Sequence, residues 1–485
     1  MILRRVLASL ALATSLISAP QAVGAAKPSL DKVKHILVIY LENRSFDSVF
    51  GLFPGANGIA NSRNADGTQK FPQLDGNGKP YDVLPPVLDS NRSPKAKDAR
   101  FKEGLPNGPF LINNGGKDSG NVGVQETTGD LIHAFFTERG QIDGGKMDRF
   151  VSGGDSGSLV MGYFDTSKLP LYHYAQDYVL FDNFFHAAFG GSFLNHFWLI
   201  CACTPVYPNA PDAVRSPTLN LKDAPTYKPT GEVNDTKVTA DGFAVNTLFP
   251  ENPRPVPAGS PLILPAQTAP TIGDRLSDKG IDWKWYSGGW NDALAQSDPK
   301  TGVSLSADPL FQYHHQPFAF FAKYAAGTEE RKQHLKDYAD LVSDIHADKL
   351  PPVAFYKPVG ENNEHPGYAS LIVGERHVRD LIEMVKASPA WDSTVIIITY
   401  DEHGGAWDHV APPTDAPKAD EHGPGSRVPA IIVSPLAKRG FIDHTEYDTT
   451  AILKFIEKKY NLDPLGTRDA AQADLTNALD PEKLN

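Results

Sequence analysis

Two pairs of oxygen-bearing residues far apart in the chain, Glu42-Asn43 and Asp401-Glu402, each follow an unbroken apolar run. Three carboxylates and an amide oxygen gathered at one point would repel one another and take up protons unless a cation lay among them. Oxygen donors of this kind suit one hard divalent ion such as magnesium, calcium or manganese. A His-rich ligand set that would call for a second ion is absent from the sequence around them. Acids at strand ends also serve as helix caps or salt-bridge partners, and spacing alone leaves both readings open.

A second element is Phe189-Gly-Gly-Ser-Phe-Leu-Asn-His-Phe-Trp-Leu-Ile200. Two glycines lead into Ser192, and the apolar stretch beyond it reads as a helix starting there. Glycines let a backbone approach an anion closely, and a helix N-terminus presents free N–H groups to it. A serine so placed is a nucleophile if a metal or base stabilises its alkoxide; the plainer reading is an N-cap. Histidines flanked by polar residues, Gly or Pro follow: His365 in Glu361–Tyr368, the pair His314-His315, and His133 ahead of Gly144-Gly-Lys-Met147. They suit proton transfer or oxyanion contacts near neutral pH, or ordinary structural hydrogen bonds. His403, His409 and His422 flank the acidic turn as groups that would support it. Trp283, Trp285, Tyr286 and Trp290 offer either a cation–π cage for a choline group or core packing.

The elements that must position these residues are strands and helices in alternation. His35–Leu41, Val395–Tyr400 and Val428–Val433 are β-branched runs of the kind buried on both faces of a parallel sheet. Ile281–Tyr286 and Val353–Tyr356 are shorter strand candidates. Helical spacing appears at Leu335, Tyr338, Val342 and Ile345, and at Val378, Leu381 and Val385; Asp448 is placed to cap a helix carrying Ile452, Phe455, Ile456 and Tyr460. The alternation predicts an α/β fold with a mostly parallel sheet between helices, and ligands beyond the carboxyl ends of its strands. Segments 51–130 and 204–270, rich in Gly, Asn, Asp and Pro, are read as ordered, loop-rich insertions over the site.

Arg4-Arg5, an apolar stretch from Val6 to Ile17 and small residues at Ala22–Ala26 describe a signal peptide over residues 1–26. The stretch is short of the roughly 20 residues a membrane helix needs. The remainder, 27–485, is expected to be one exported domain, periplasmic or secreted. Removing the leader takes the net charge from −12 to −14. With no basic run, nucleic acid is not an expected partner, and no further apolar stretch would span a bilayer. Cys201 and Cys203, one residue apart, are either a strained disulfide or two buried thiols.

Five segments together resemble the bacterial acid phosphatase and phospholipase C superfamily of phosphoesterases: Leu41-Glu-Asn-Arg-Ser-Phe-Asp47, Gly190-Gly-Ser-Phe-Leu-Asn-His196, Glu364-His-Pro366, Tyr400-Asp-Glu-His-Gly-Gly405 and Gly423-Pro-Gly-Ser-Arg-Val-Pro429. The resemblance runs from residue 35 to about 460. It implies an alkaline-phosphatase-like fold and a Ser192 nucleophile touching a metal held by Glu42, Asn43, Asp401 and Glu402. By the same resemblance His133, His315 and His365 line the phosphate pocket, with His314 an alternative to His315. The Gly-Gly-Ser-Phe-Leu-Asn-His form resembles the acid phosphatase branch. This implies an acid phosphatase that hydrolyses small phosphate monoesters through a phosphoserine, with a phospholipase C acting on phospholipid head groups as the alternative. Two further rivals are a sulfatase, whose Pro-Arg-bearing motif is missing around Ser192, and a noncatalytic binding protein with a structural metal.

Overall fold

The computed structural model describes residues 29–484 apart from 118, 229–230, 297, 299–302 and 304–309. The leader read over residues 1–26 lies outside the described residues. Eight strands form the central sheet: β1 (His35–Leu41), β2 (Val179–Phe181), β3 (Trp283–Ser287), β4 (Leu335–Lys336), β5 (Val353–Lys357), β6 (Thr394–Tyr400), β7 (Ala430–Val433) and β8 (Phe441–Asp443), in the order β8-β2-β7-β6-β1-β5-β3-β4. Every neighbouring pair is parallel except those made by β7, which runs against both β6 and β2. The sheet is therefore mostly parallel, and the protein is an α/β fold.

The two longest apolar runs lie side by side in the middle. β1 and β6 pair from His35↔Thr394 to Leu41↔Tyr400, so the residues that follow, Glu42 and Asp401, leave the sheet together. On the other side of β1, Ile39 pairs with Tyr356, which places Lys357 beside Tyr40. Both central strands are buried almost throughout, as unbroken β-branched sequences require.

Side-chain alternation assigns helices to the two faces. Tyr40 and Trp285 meet His196 of α1 (Ser192–Cys201) on one face. Tyr356 and Tyr286, a residue out of phase with them, meet α2 (Tyr338–His346) and α3 (Leu371–Lys386) on the other, through Asp344 and His377. α4 (Thr450–Tyr460) packs beside α1. No described helix is long and apolar enough to cross a membrane.

Several boundaries differ from expectation for local reasons. Leu335 belongs to a strand, not to the helix its spacing suggested, because the Asp337–Asp340 capping box starts α2 only at Tyr338. β7 begins at Ala430, after Pro429, whose missing N–H cannot join a ladder. Asp448 sits one residue before the cap position, taken by Thr449, and accepts the Thr450 N–H at 2.7 Å. Cys201 and Cys203 form a disulfide whose Cα atoms are 5.1 Å apart, inside the ordinary span for such bridges.

Candidate active site

The site grows from the C-terminal ends of β1, β5 and β6 and from the start of α1. Asn43 turns the chain out of β1 with φ 60, a left-handed conformation uncommon outside glycine. Two contacts hold it there. Its N–H donates to Asp401 Oδ1 at 3.0 Å. Gly404 lies so close that a Cβ there would be 2.4 Å from the Asn43 carbonyl oxygen. At the other edge Gly190, with φ 83, brings the chain against Phe135, where a Cβ would sit 2.6 Å from its nitrogen. Gly191 takes the cap position of α1, so Ser192 is the first helical residue and not the N-cap.

That leaves the Ser192 hydroxyl free to point at the acids. Its Oγ lies 3.0 Å from Glu42 Oε2 and 3.3 Å from Asn43 Oδ1. The Asn43 amide is oriented by what lies behind it: Nδ2 is 3.1 Å from His365 Nε2 and 3.4 Å from His133 Nε2. The Nδ1 atoms of these imidazoles face the carbonyls of Pro366 and Leu131, which can only accept, so Nδ1 carries the proton and Nε2 faces Asn43 as a lone pair. His315 Nε2 is 2.9 Å from Glu42 Oε1. Its ring stacks on His196, whose Nδ1 donates to the Ser192 carbonyl at 2.7 Å.

Glu42, Asn43, Asp401 and Glu402 are all buried. Asp401 Oδ2 and Glu402 Oε1 have no hydrogen-bond donor, a costly state for buried carboxylate oxygens. Burial, and then the neighbouring Glu42 charge, pushes the Asp401 carboxyl up to about 7. Burial and Asp401 push Glu402 well up. Burial raises Glu42 too, but Lys357 and His315 outweigh it and hold that carboxyl well down. Three crowded carboxylates with orphaned oxygens, an amide oxygen and a serine oxygen are a donor set that fits a hard divalent cation. Glu42, Asn43, Asp401, Glu402 and Ser192 are the residues that would hold it.

The eight residues expected to form the site, Glu42, Asn43, His133, Ser192, His315, His365, Asp401 and Glu402, lie together here. His133 Nε2 is 3.8 Å from Glu402 Oε1, and His365 Nε2 is 4.0 Å from Glu42 Oε2. Glu42, His133, Ser192, His314, His315 and His365 open onto one cavity of about 520 Å³. Its outer wall includes Ser90, Asn91 and Asp130, and also Asn246 and Thr247 from the 204–270 segment. Three groups were not anticipated. Lys357, wholly buried at the end of β5, makes an ion pair with Glu42 and lies 4.0 Å from Asp401 Oδ2; a charge ending an apolar strand was the available signal. Asp130 on the cavity wall and Glu138 behind it carried no sequence signal.

Other expectations part company with the site. His409 belongs to a separate buried network, 2.6 Å from Asp47 and close to Arg427. His422 packs on Trp198 and bonds to Thr204. Trp283, Trp285, Tyr286 and Trp290 are core residues at 0–2% exposure, so they form no cage open to a ligand.

A mostly parallel α/β sheet that gathers buried oxygen donors and a helix-borne serine at its carboxyl edge suits ester hydrolysis. The chain belongs to the phosphoesterase family, whose model matches residues 33–463, and it is a phosphoric ester hydrolase. Its relatives include phospholipase C A of Mycobacterium tuberculosis, 23% identical over 93% of this chain and 77% of that protein. Another is a non-hemolytic phospholipase C of Burkholderia pseudomallei, 25% identical over 88% of this chain; there the match spans 55% of the relative's length. Among solved structures the chain is similar to a protein of the alkaline phosphatase superfamily from Vibrio parahaemolyticus, 12% identical over 65% of each chain, with a TM-score of 0.34.

Proposed function

We propose that the protein is an exported esterase that transfers a phosphoryl group to Ser192, with Glu42, Asn43, Asp401 and Glu402 holding one divalent cation beside it. The observation that carries this reading is the Ser192 hydroxyl, 3.0 Å from Glu42 and 3.3 Å from Asn43 and open to the histidine-lined cavity. A divalent cation in that ring supplies Lewis-acid stabilisation of the serine alkoxide and of one phosphate oxygen.

The chain's own groups account for the rest. The phosphate settles at the start of α1, where first-turn N–H groups favour an anion. Ser192 Oγ gives its proton to Glu42 Oε2, 3.0 Å away, and attacks phosphorus; the bond from phosphorus to the leaving oxygen breaks, and a phosphoserine forms. The leaving oxygen takes up that proton through a cavity histidine, His365 foremost, whose Nε2 lone pair lies 4.0 Å from Glu42 Oε2, with His133 and His314 on the same wall. Water then attacks the phosphoserine, giving one proton to the histidine, which returns it to the Ser192 oxygen as that oxygen leaves phosphorus. His315, 2.9 Å from Glu42 Oε1, orients that carboxylate from its place on the cavity lining.

The relatives' names favour phosphodiester lipids: the head-group phosphate would transfer to Ser192, and the diacylglycerol oxygen would take the proton. The hydrogen-bonding groups of Ser90, Asn91, Asp130, Asn246 and Thr247 on the cavity wall support the second reading, small hydrophilic phosphate monoesters, because they suit a polar leaving group. Hydrolysis of p-nitrophenyl phosphorylcholine beside p-nitrophenyl phosphate from pH 4 to 9, with wild type, Ser192→Ala and chelated protein, separates them. Faster release from the phosphorylcholine ester, lost in the variant and on chelation, is the expected result. Dominant monoester turnover would select the second reading. Full activity in folded Ser192→Ala would overturn the nucleophile.

A further inference from the structure

Behind the cavity the helix Phe135–Ile142 carries a carboxylate that the reaction above does not use. Glu138 is wholly buried, yet both its oxygens are engaged by segments remote in sequence. Oε2 accepts the N–H of Gly190 at 2.7 Å, two residues before Ser192. Oε1 accepts from His186 Nε2 at 2.8 Å, from the Ser426 N–H at 2.9 Å and from the Ser426 hydroxyl at 3.0 Å. His403, which follows Glu402, places Nε2 3.5 Å from the same oxygen, and its ring stacks on His186 at 5.4 Å and 5°. The fit is close: a Cβ at Gly425 would come within 2.2 Å of the His186 ring. The loop that delivers the serine, the turn that delivers two acids and the Gly423–Pro429 segment therefore share one anchor.

We propose that Glu138 is a positioning residue, fixing the Ser192 loop against the Asp401-Glu402 turn so that nucleophile and acids keep their register during phosphoryl transfer. This rests on the Ser192 reading. Folding alone needs only a packed group of this size at position 138, whereas the arrangement seen is a two-oxygen acceptor with four donors. A glutamine has the same shape but one accepting oxygen, and its NH₂ would face either Gly190 or Ser426 donor to donor. The serine loop or its counterpart must then shift, and a displacement of about 1 Å at a reacting group lowers turnover by about 100-fold.

The test compares Glu138→Gln, Ser426→Ala and Ser192→Ala with wild type on p-nitrophenyl phosphorylcholine and p-nitrophenyl phosphate. Bound metal per chain and circular dichroism are measured alongside. The expected result for Glu138→Gln is kcat lower by about tenfold or more, KM within about twofold and metal content unchanged. Ser426→Ala, which loses a single hydrogen bond, should lower kcat by about threefold, again without a change in KM. A folded Glu138→Gln protein with wild-type kcat would overturn the proposal, as would a loss confined to KM or to metal content. Should Glu138→Gln fail to fold, Ser426→Ala decides alone: a fall in kcat at constant KM supports the anchor, and an unchanged kcat overturns it. Activity retained by Ser192→Ala would instead remove the nucleophile reading on which the proposal stands. An inactive Ser192→Ala beside a normal Glu138→Gln defeats only the anchor.

Discussion

Asn43 shows how much one side chain carries. Its oxygen faces Ser192, while its NH₂ is shared between His365 at 3.1 Å and His133 at 3.4 Å. Asn43→Asp would keep the backbone conformation, which aspartate also tolerates, but would set a second anionic oxygen against two imidazole lone pairs. We expect the variant to retain its metal and to lose about 100-fold in kcat through misplaced histidines, checked by metal analysis and steady-state kinetics. Lys357 is the complementary case, a buried cation between two carboxylates, Glu42 and Asp401. Removing one partner of such a group costs about 3–5 kcal/mol. Lys357→Met should therefore lower the unfolding free energy in chelator by about that much, and by less when divalent ion is present, as denaturant titration would show. Glu138 makes a prediction in pH. Burial raises its carboxyl, but His186, His403 and the Ser426 N–H outweigh that and bring it from 4.5 to about 2. Its contribution is present above pH 4.5 and is lost as pH falls toward 2, so Glu138→Gln should flatten the acid limb of stability by roughly 3 kcal/mol. An acid limb as steep as wild type would contradict the assigned ion partners.

At the scale of elements, the strands with the clearest sequence signal are those that hold the site. β1 and β6 are legible because a strand buried on both faces must be apolar at every position, and Glu42 and Asp401 follow at matched register. Three-residue β2 and two-residue β4 have too few positions for any period to show. Ser192 was ambiguous for a related reason. Whether a serine caps a helix or begins it depends on one residue's backbone, and here Gly191 caps. The turn before it gives a direct test. Gly190→Ala would place a methyl group 2.6 Å from the Phe135 nitrogen at a φ of 83. Strain of this kind costs about 1–3 kcal/mol, and relief requires moving the serine loop. The expected outcome is a lower melting temperature together with a fall in kcat larger than that of an alanine at exposed Gly259, where no atom lies within 4 Å of the added carbon.

Over the whole molecule, legibility ends where contacts between distant segments begin. Glu138 and Lys357 take their meaning from partners far along the chain, His186, Gly190 and Ser426 for the one, Glu42 and Asp401 for the other. The insertions announce loops by composition without showing that Asn91, Asp130 and Asn246 end up on one wall. The pooling of charge has a thermodynamic consequence for the entire fold. Without a bound cation, burial and Glu42 hold the Asp401 carboxyl at about 7, against 3.8 for an unburied aspartate, and Glu402 is likewise raised. A group raised on folding contributes stability that is fully present below its unfolded value and is lost as pH climbs through its folded value. The chelated protein should therefore become less stable between about pH 4 and pH 7 as these carboxyls ionise against one another. A divalent cation binds the ionised form and stabilises the native state in proportion to its affinity, which rises as the competing protons leave. The gain in melting temperature from saturating magnesium, calcium or manganese over chelator should then be larger at pH 8 than at pH 5. Glu402→Gln, having one acid fewer to ionise, should shrink that difference from the chelator side. An equal gain at both pH values in the wild-type protein would mean that the acids do not share a cation, whatever the enzyme hydrolyses.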